Sequence, residues 1–313
     1  MKIAFQMDPV GAVDIDADST FRLAEEAQAR GHQLFYYEPD HLAYEEGRIT
    51  ARGHEMQVQR VRDKPAILGD MRKIDLAEMD VVWLRQDPPF DMHYITATHI
   101  LDRLAGQTLV VNDPFWVRNY PEKLMVLDFP DLTPPTTVAR DLETIREFKA
   151  RHGDIILKPL YGAGGAGVFR LDESDRNLTS LHELFTGFSR EPLIVQKFLP
   201  AVQKGDKRVI LVDGEAVGAI NRVPAKGEVR SNMHVGGRPE KIALSERDRE
   251  ICARIGPLLR EKGQVFVGID VIGDWLTEIN LTSPTGIQEL ERFDDINVAG
   301  AIWDAVEARV AKP

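Results

Sequence analysis

Three oxygen-bearing side chains near the C-terminus, Asp270, Glu278 and Asn280, have the types and spacing of a hard-cation site. They fall in the stretch GIDVIGDWLTEINLTSPTG, with Asp270 on one apolar run and Glu278 and Asn280 two apart on the next. Side chains of a strand alternate between its faces, so Glu278 and Asn280 share one. Carboxylates and a carboxamide oxygen, with no His or Cys beside them, suit Mg2+ held against phosphates. The competing reading is an acidic hairpin exposed to solvent. The flanking Val265, Val267, Ile269, Val271, Leu276 and Ile279 are instead residues of a buried sheet, where unpaired carboxylates seldom go. Register decides whether Asp270 takes part. A two-residue turn at Gly273–Asp274 would set Asp270 opposite Thr277 and turn it away from Glu278. An odd loop such as Gly273–Trp275, or a bulge near it, brings Asp270 onto the Glu278 face.

A second stretch, Ile156–Arg170 (ILKPLYGAGGAGVFR), has the means to hold an anion. Gly162, Gly164 and Gly167 satisfy G-x-G-x-x-G, and Gly162 with Gly167 fits the first half of a Walker A loop. Neither motif is completed. A dinucleotide fingerprint needs a helix opening at its third glycine, whereas Gly167 runs into the strand-like VFRLDES. Walker A needs Lys and then Ser or Thr where Val168 and Phe169 stand. A strand that carries Lys158 into a glycine-rich hairpin folding over phosphates fits better. Alternation puts Ile156 and Lys158 on one face of DIILKPL, with Ile155 and Leu157 on the other. A lone Lys there as readily snorkels to water. Beside the backbone amides of a glycine loop, its ammonium makes an anion site.

The bulk properties narrow the function classes. At 313 residues the chain can form two or three domains and bury a sizeable core. A formal charge of −11 argues against a general nucleic-acid binder while leaving room for a locally basic pocket. Cys252 is the one cysteine, so no intrachain disulfide or cysteine-rich zinc site can form, and it reads as a half-buried helical thiol. MKIAFQMDPV turns polar too quickly for a signal peptide. No apolar run approaches the roughly 18–20 residues of a membrane span, so no membrane partner and a cytoplasmic location are expected. No convincing Ser/His/Asp or Cys/His arrangement offers a covalent nucleophile.

The elements that must position these groups are legible in part. Strands at Lys2–Met7, HQLFYYEP, DVVWLRQ and TLVVND alternate with helices near Phe21–Arg30 and Tyr94–Ala105, which predicts a parallel α/β sheet over about the first 115 residues. Ligands bind such sheets at the carboxyl ends of their strands, here Asp8–Asp18, Arg85–Asp91 and Asn112–Pro114. YPEKLMVLDF reads as a short helix containing Lys123. The helix Leu142–Arg151, capped by Asp141, a helix near Leu178–Phe188, and the strands DIILKPL and PLIVQKFLP make a small α+β block. A hairpin turning at Asp213–Gly214 opens the third block. It continues through a polar loop Pro224–Arg238, a helix from about Glu246 to Lys262 bounded by Ser245 and Gly263, the metal hairpin, and a last helix Val298–Val310. The expected domains are 1–120, Rossmann-like and substrate-binding, then 121–200 and 201–313.

Together the Lys123 segment, the Lys158 strand with its flap, VQKFLP and the Asp270…Glu278-Ile-Asn280 hairpin resemble the ATP-grasp ligases. Seven stretches in order along the whole chain resemble, more narrowly, the bacterial glutathione synthetases. They are MDPV, RQDPPFD, DLTPPT, DIILKPLYGAGGAGVFR, GDKRVILVDGE, GGR and FVGIDVIGDWLTEINLTSPTGI. The resemblance implies an ATP-grasp fold, α/β and α+β, behind an N-terminal Rossmann-like parallel-sheet domain. In it, 121–200 is the lid subdomain and 201–313 the catalytic one. Two positions depart from the family pattern. Tyr161 stands where the flap often begins with an acidic residue, and Gly286 where a bulkier side chain is usual.

The resemblance also implies the reaction: γ-glutamylcysteine and glycine are joined while ATP becomes ADP and phosphate, through an acyl phosphate. In this reading Lys123 and Lys158 hold the ATP phosphates beneath the flap glycines Gly162, Gly164, Gly165 and Gly167. Gln196, Lys197, Phe198 and Leu199 form the adenine hinge through backbone groups of Lys197 and Leu199, with Asp206 near the ribose. Asp270, Glu278 and Asn280 bind two Mg2+ ions, or Mn2+. Arg208 stands at the transferring phosphoryl group, since a guanidinium can bridge two oxyanions. Arg222 and Arg230 serve carboxylates or phosphate, Ser283 and Thr285 the glycine carboxylate, and Asp18, Ser19 and Arg85 the peptide substrate. Pro224–Arg238, with Gly227, Gly236 and Gly237, would be a lid that excludes water and resists nicking once ligands bind. A homo-oligomer is implied too. Alternatives are another ATP-grasp ligase, such as a D-alanine–D-alanine or amino-acid/peptide ligase, or a non-catalytic nucleotide-binding protein that has kept the fold.

Overall fold

A computed structural model of the chain describes every residue except 226, 227, 229, 232–235, 312 and 313. The described chain forms three sheets, and the first collects β1 (Lys2–Gln6), β2 (Gln33–Tyr37), β3 (Leu42–Glu45), β4 (Arg48–Val58), β5 (Ala66–Leu68), β6 (Arg72–Asp75), β7 (Val81–Leu84) and β8 (Leu109–Val111). β1 runs parallel to β2 and β7, and β7 to β8, as the strand–helix alternation predicts. Beyond β2 the sheet departs from that expectation. β4 lies antiparallel to β2, and β3, β5 and β6 pair antiparallel with β4, so the sheet is mixed. The turn from β3 to β4 has Glu46 at φ 49° and Gly47 at φ 91°. Asn-Gly or Asp-Gly announces that geometry and Glu-Gly does not, which is why the sequence hides it. Helices α1 (Ser19–Ala29), α2 (Met92–Leu101) and α3 (Pro114–Asn119) start at Asp18, Asp91 and Asp113, whose carboxylates accept from Phe21, Tyr94 and Trp116 backbone N–H groups.

The second sheet is fully antiparallel, in the order β11-β10-β12-β9, from β9 (Thr136–Ala139), β10 (Ile155–Pro159), β11 (Phe169–Leu171) and β12 (Leu193–Lys197). With α4 (Leu142–His152) and α5 (Leu178–Phe188) it encloses its own core of Ile145, Phe148, Ile155, Leu157, Leu171, Leu178, Leu193 and Val195. Ile155 and Leu157 point into that core and leave Ile156 and Lys158 for the opposite face, as alternation requires. The segment before it corrects one expectation. Lys123 lies in a turn ahead of a 3-10 turn, Met125–Asp128, and not in an α-helix. Met125, Val126, Phe129 and Leu132 all pack into the large core shared by the first and third sheets, so the segment has no solvent face of a regular helix.

The third sheet has the order β15-β14-β13-β16-β17, formed by β13 (Asp206–Val212), β14 (Glu215–Val223), β15 (Arg238–Ile242), β16 (Phe266–Ile272) and β17 (Trp275–Asn280). Helices α6 (Glu246–Glu261), α7 (Ile287–Asp294) and α8 (Val298–Val310) complete it. Trp303 on α8 packs edge-on against Trp83 of β7 and donates to the Leu23 carbonyl of α1 at 2.8 Å, which ties the C-terminus to the first sheet. The Asp213–Gly214 turn takes positive φ at both residues, 48° and 81°. It presses on Gly256 of α6: a Cβ on Gly256 would lie 2.2 Å from the Gly214 oxygen. Gly256→Ala is therefore expected to cost about 1–3 kcal/mol of stability by overpacking, read as a lower urea midpoint with an unchanged slope. An unchanged midpoint would mean that the helix and hairpin can separate freely.

Candidate active site

The three sheets face a common cleft of about 920 Å3. Its floor includes the hairpin β16–β17, whose register is set by two features at once. Ile272 pairs with Trp275 across a two-residue turn, and the pairing then shifts so that Asp270 opposes Glu278. Thr277 is the extra residue of this bulge and donates its hydroxyl to the Asp270 carbonyl at 3.1 Å. The bulge brings Asp270 and Glu278 to the same face, with Asn280 opposite Gly268. Asn280 donates its amide to the Gly268 carbonyl at 3.1 Å, which leaves its side-chain oxygen as the group it can offer a cation.

Four basic side chains answer the two carboxylates. Lys158 lies 3.1 Å and Lys123 3.9 Å from the same Glu278 oxygen. Arg208 clamps Asp270 through Nε at 2.6 Å and a second N–H at 3.1 Å, and Arg222 reaches Asp270 at 3.0 Å and Asp206 at 2.6 Å. Burial alone would push both carboxyls up. Arg208 and Arg222 overcome it at Asp270, and Lys158 and Lys123 at Glu278, so both lie below the ordinary carboxylate range. Asp206 goes the other way. Burial dominates there, with the Asp270 charge adding to it, and raises the Asp206 carboxyl to about 6 despite Arg222. One Asp206 oxygen accepts from Arg222 and from Ser231 at 2.8 Å; the other is buried without a partner.

Gly268 explains how close this packing is. A Cβ there would meet Arg208 Cδ at 2.9 Å and its Nε at 3.2 Å. Gly268→Ala is expected to push Arg208 off Asp270 and lower turnover at least about tenfold, the cost of one misplaced charged hydrogen bond, with far-UV circular dichroism unchanged. Wild-type turnover in this variant would show that Arg208 can relocate without loss.

The glycine stretch forms the expected hairpin flap. β10 and β11 pair antiparallel around it, and no helix opens at Gly167. Gly162, Gly164 and Gly165 line the cleft, and Lys123 donates its ammonium to the Gly162 carbonyl. Gly167 does not line it. It turns at φ 69° against Pro159, whose ring carbon would lie 2.8 Å from a Cβ there. Tyr161 stacks on Phe90 at 5.9 Å, and Phe90 meets Tyr94 at 5.1 Å, so Tyr161 couples the glycine hairpin to the segment that starts α2. Gly286 adopts φ 109°, and a Cβ there would lie 3.0 Å from Ile220, so a bulkier residue at this position would be strained.

The remaining expected residues divide. Gln196, Lys197, Phe198 and Leu199 line the cleft at the end of β12, and Lys197 gives its N–H to the Pro135 carbonyl at 2.9 Å, leaving its own carbonyl as what it can offer a base. Ser283 and Thr285 line it too, and the Thr285 carbonyl accepts from Arg208 at 3.3 Å. Arg230 lines the cleft while pairing with Glu228 at 2.7 Å. Asp18 and Arg85 reach the cleft, whereas Ser19 is fully buried at the start of α1 and does not. The Gly227 position and most of the proposed lid's centre fall outside the described residues. Two cleft residues, Glu122 and Glu289, escape a reading of the sequence. Glu122 accepts from the Thr282 hydroxyl at 2.6 Å and braces the 282–285 turn. Its adjacency to Lys123 is the available signal; Glu289 has none, since an acidic residue on an amphipathic helix usually faces water.

A flap over a lysine-bearing strand, an adjoining hinge and an oxygen-rich hairpin below them define an ATP-grasp ligase. The profile of the prokaryotic glutathione synthetase ATP-grasp domain matches residues 122–295, and that of the family's N-terminal domain residues 1–118. The chain belongs to the prokaryotic glutathione synthetase family. It is 59% identical over 309 residues to a glutathione synthetase of Brucella melitensis, covering 99% of both chains. It is 45% identical over 314 residues to one of Salmonella typhimurium, covering all of both. Among solved structures, D-cycloserine synthetase DcsG shares the fold with a TM-score of 0.71 at 17% identity, over 99% of this chain and 100% of that one.

Proposed function

We propose that this cleft joins the cysteinyl carboxylate of γ-glutamylcysteine to the amine of glycine at the expense of ATP. The chain is an ATP-dependent ligase of glutathione synthesis, and the observation that carries the residue assignment is the convergence in one cleft of Lys123 from a turn, Lys158 from the second sheet, and Glu278, Asp270 and Arg208 from the third. A carboxylate is a poor electrophile. Its oxygen attacks the γ-phosphorus, the bond to the β-phosphate oxygen breaks, and ADP leaves. The glycine nitrogen then attacks the acyl carbon, loses a proton, and phosphate departs as the amide forms. Lys123 and Lys158 hold the nucleotide phosphates, and Arg208 and Arg222 neutralise oxygens that gain charge in each transfer. The flap excludes water from the acyl phosphate, which water would otherwise consume.

The donor set fits Mg2+. Among the described residues no group of three His, Cys, Asp or Glu side chains forms a cation cage. Two carboxylates held ionised and one carboxamide oxygen are instead the partial shell that Mg2+ takes when phosphates and water supply the rest. Asp270, Glu278 and Asn280 would hold it, and when bound it supplies charge neutralisation of the triphosphate. No helix among the described residues is long and apolar enough to cross a membrane; we place the enzyme in the cytoplasm as a homo-oligomer with a 1–120, 121–200 and 201–313 division, as its family resemblance implies.

ADP release tests the reading. γ-Glutamylcysteine plus glycine should support turnover that depends on both, while D-alanine alone or glutamate alone should not. Equal or better turnover with D-alanine would move the chain to a different ATP-grasp specificity.

A further inference from the structure

The amine that completes the reaction arrives charged. Glycine is an ammonium near neutral pH, and only its neutral form has the lone pair that attacks the acyl carbon. A group in the cleft has to accept that proton. Among the described residues no histidine lines the cleft, and His234 lies outside them. Of the carboxylates, Asp270 and Glu278 are held ionised by the cations around them, and Asp206 is engaged by Arg222 and Ser231. One carboxylate at the reacting end remains, that of Glu122, half-buried and lining the cleft.

Glu122 joins the phosphate cations to the turn whose Ser283 and Thr285 are expected to take the glycine carboxylate. It precedes Lys123, and its backbone carbonyl accepts from the Ile279 N–H of β17 at 3.2 Å. Its Oε1 accepts from the Thr282 hydroxyl at 2.6 Å and from the Thr282 N–H at 3.3 Å, where the turn begins. Both bonds fall on one oxygen, which leaves Oε2 as the one it can offer the cleft. Glycine is short, its nitrogen only about 2.5 Å from its carboxyl carbon. A carboxylate held by Ser283 and Thr285 therefore brings the amine to the neighbourhood of Glu122.

The surroundings favour the transfer. The charged and titratable groups facing Glu122 are Lys123 beside it, Glu278 on β17 and Tyr94 on α2. Burial raises the proton affinity of Glu122 above that of an ordinary glutamate, with the Glu278 charge adding to it and Thr282 and Lys123 opposing. Tyr94 is fully buried, which pushes its phenol up and keeps it neutral. Lys123 and Lys158 disfavour a further cation nearby and so loosen the ammonium's hold on its proton. We propose that Glu122 is the general base of the second half-reaction, taking one proton from the glycine ammonium through Oε2 so that the free amine can attack. The N–H bond breaks toward Glu122, the N–C bond forms at the acyl carbon, and the C–O bond to phosphate breaks. A second proton of the amine leaves with the phosphate, and Glu122 returns its own to solvent. The inference rests on the glutathione-synthetase reading above.

Hydroxylamine isolates this step, because it is already neutral near neutral pH and traps acyl phosphates as hydroxamates. In Glu122→Gln the amide oxygen can still accept from Thr282, while the nitrogen beside it cannot take a proton. Near neutral pH the variant's kcat with γ-glutamylcysteine, ATP and saturating glycine should fall at least about a hundredfold, the usual contribution of a positioned base. Its hydroxamate formation from γ-glutamylcysteine, ATP and hydroxylamine should stay within about threefold of wild type, since no proton has to be removed first. With glycine the deficit should close by about tenfold per pH unit above neutrality, as free amine replaces ammonium. Loss of both reactions alike would place Glu122 in phosphoryl transfer or in the fold of the turn. A glycine deficit that is the same at every pH would make it a positioning residue, and a raised glycine KM at unchanged kcat would mean that it only binds the ammonium. Each of these overturns the assignment, as does wild-type kcat in the variant, which would leave the acyl phosphate to take the proton itself. Wild-type protein that forms neither glutathione nor hydroxamate would overturn the parent reading instead.

Discussion

Glu278→Gln should reduce ligation on the order of a thousandfold at saturating ATP and Mg2+, as expected when a preorganised charge at the reacting phosphates is lost. Glutamine has the shape of glutamate and preserves the packing of β17, so the fold should survive. What disappears is the charge that Lys158 at 3.1 Å and Lys123 at 3.9 Å both address. Lys158→Ala should have an effect of similar size from the other side, since it removes a cation that is 7% exposed and that we propose holds the nucleotide phosphates. The assay is ADP release with γ-glutamylcysteine and glycine, alongside thermal unfolding to show that the protein is intact. Near-normal turnover in either variant would remove the phosphate and metal roles assigned to this corner.

The second large effect falls on stability as well as activity. Asp270→Asn leaves Arg208 and Arg222, 7% and 4% exposed, without the carboxylate they share. Removing one member of a buried ion network typically costs about 3–5 kcal/mol, here measured as urea unfolding of ligand-free protein in a chelator. Ligation should be lost too, through the metal and through Arg208. A variant with wild-type stability would mean that water screens these arginines.

The same network fixes the sign of a pH dependence. Asp270 is held below its ordinary value of 3.8, so its contribution is complete above that pH and fades as the pH falls below it. Asp206 is raised from 3.8 to about 6, so the folded protein takes up a proton there that the unfolded chain does not. Its contribution is complete below 3.8 and is lost as pH rises through 6. In the metal-free protein, the stability difference between wild type and Asp206→Asn should therefore shift against the wild type between about pH 4 and pH 7. A flat difference across that window would place Asp206 in contact with solvent.

Much of this enzyme is legible in its residues alone. The alternation of DIILKPL assigns Lys158 to the face opposite Ile155 and Leu157, Gly167 running into VFR excludes both helical phosphate loops, and Asp141, Ser245 and Asp213–Gly214 mark their helix starts and turn. These follow from rules that act within a few residues: side-chain period, caps and the φ that a turn demands. The spacing of Asp270, Glu278 and Asn280 likewise suits an oxygen-rich cation site, and it shows that such a site would need a bulge or odd loop. That the chain uses a two-residue turn and a bulge at Thr277 is decided by the sheet, where β16 must also keep register with β13. Tertiary packing alone decides the partners. Lys158 and Glu278 are 120 residues apart, and Arg85 meets Pro284 across 199. Nothing local encodes such meetings; Arg85 reaches Pro284 when apolar faces of the first and third sheets close into shared cores, and Lys158 reaches Glu278 from a second sheet that keeps its own core and lies across the same cleft. For the same reason no signal in the sequence singles out Glu289, and Ser19, beside a residue that does face the cleft, is buried.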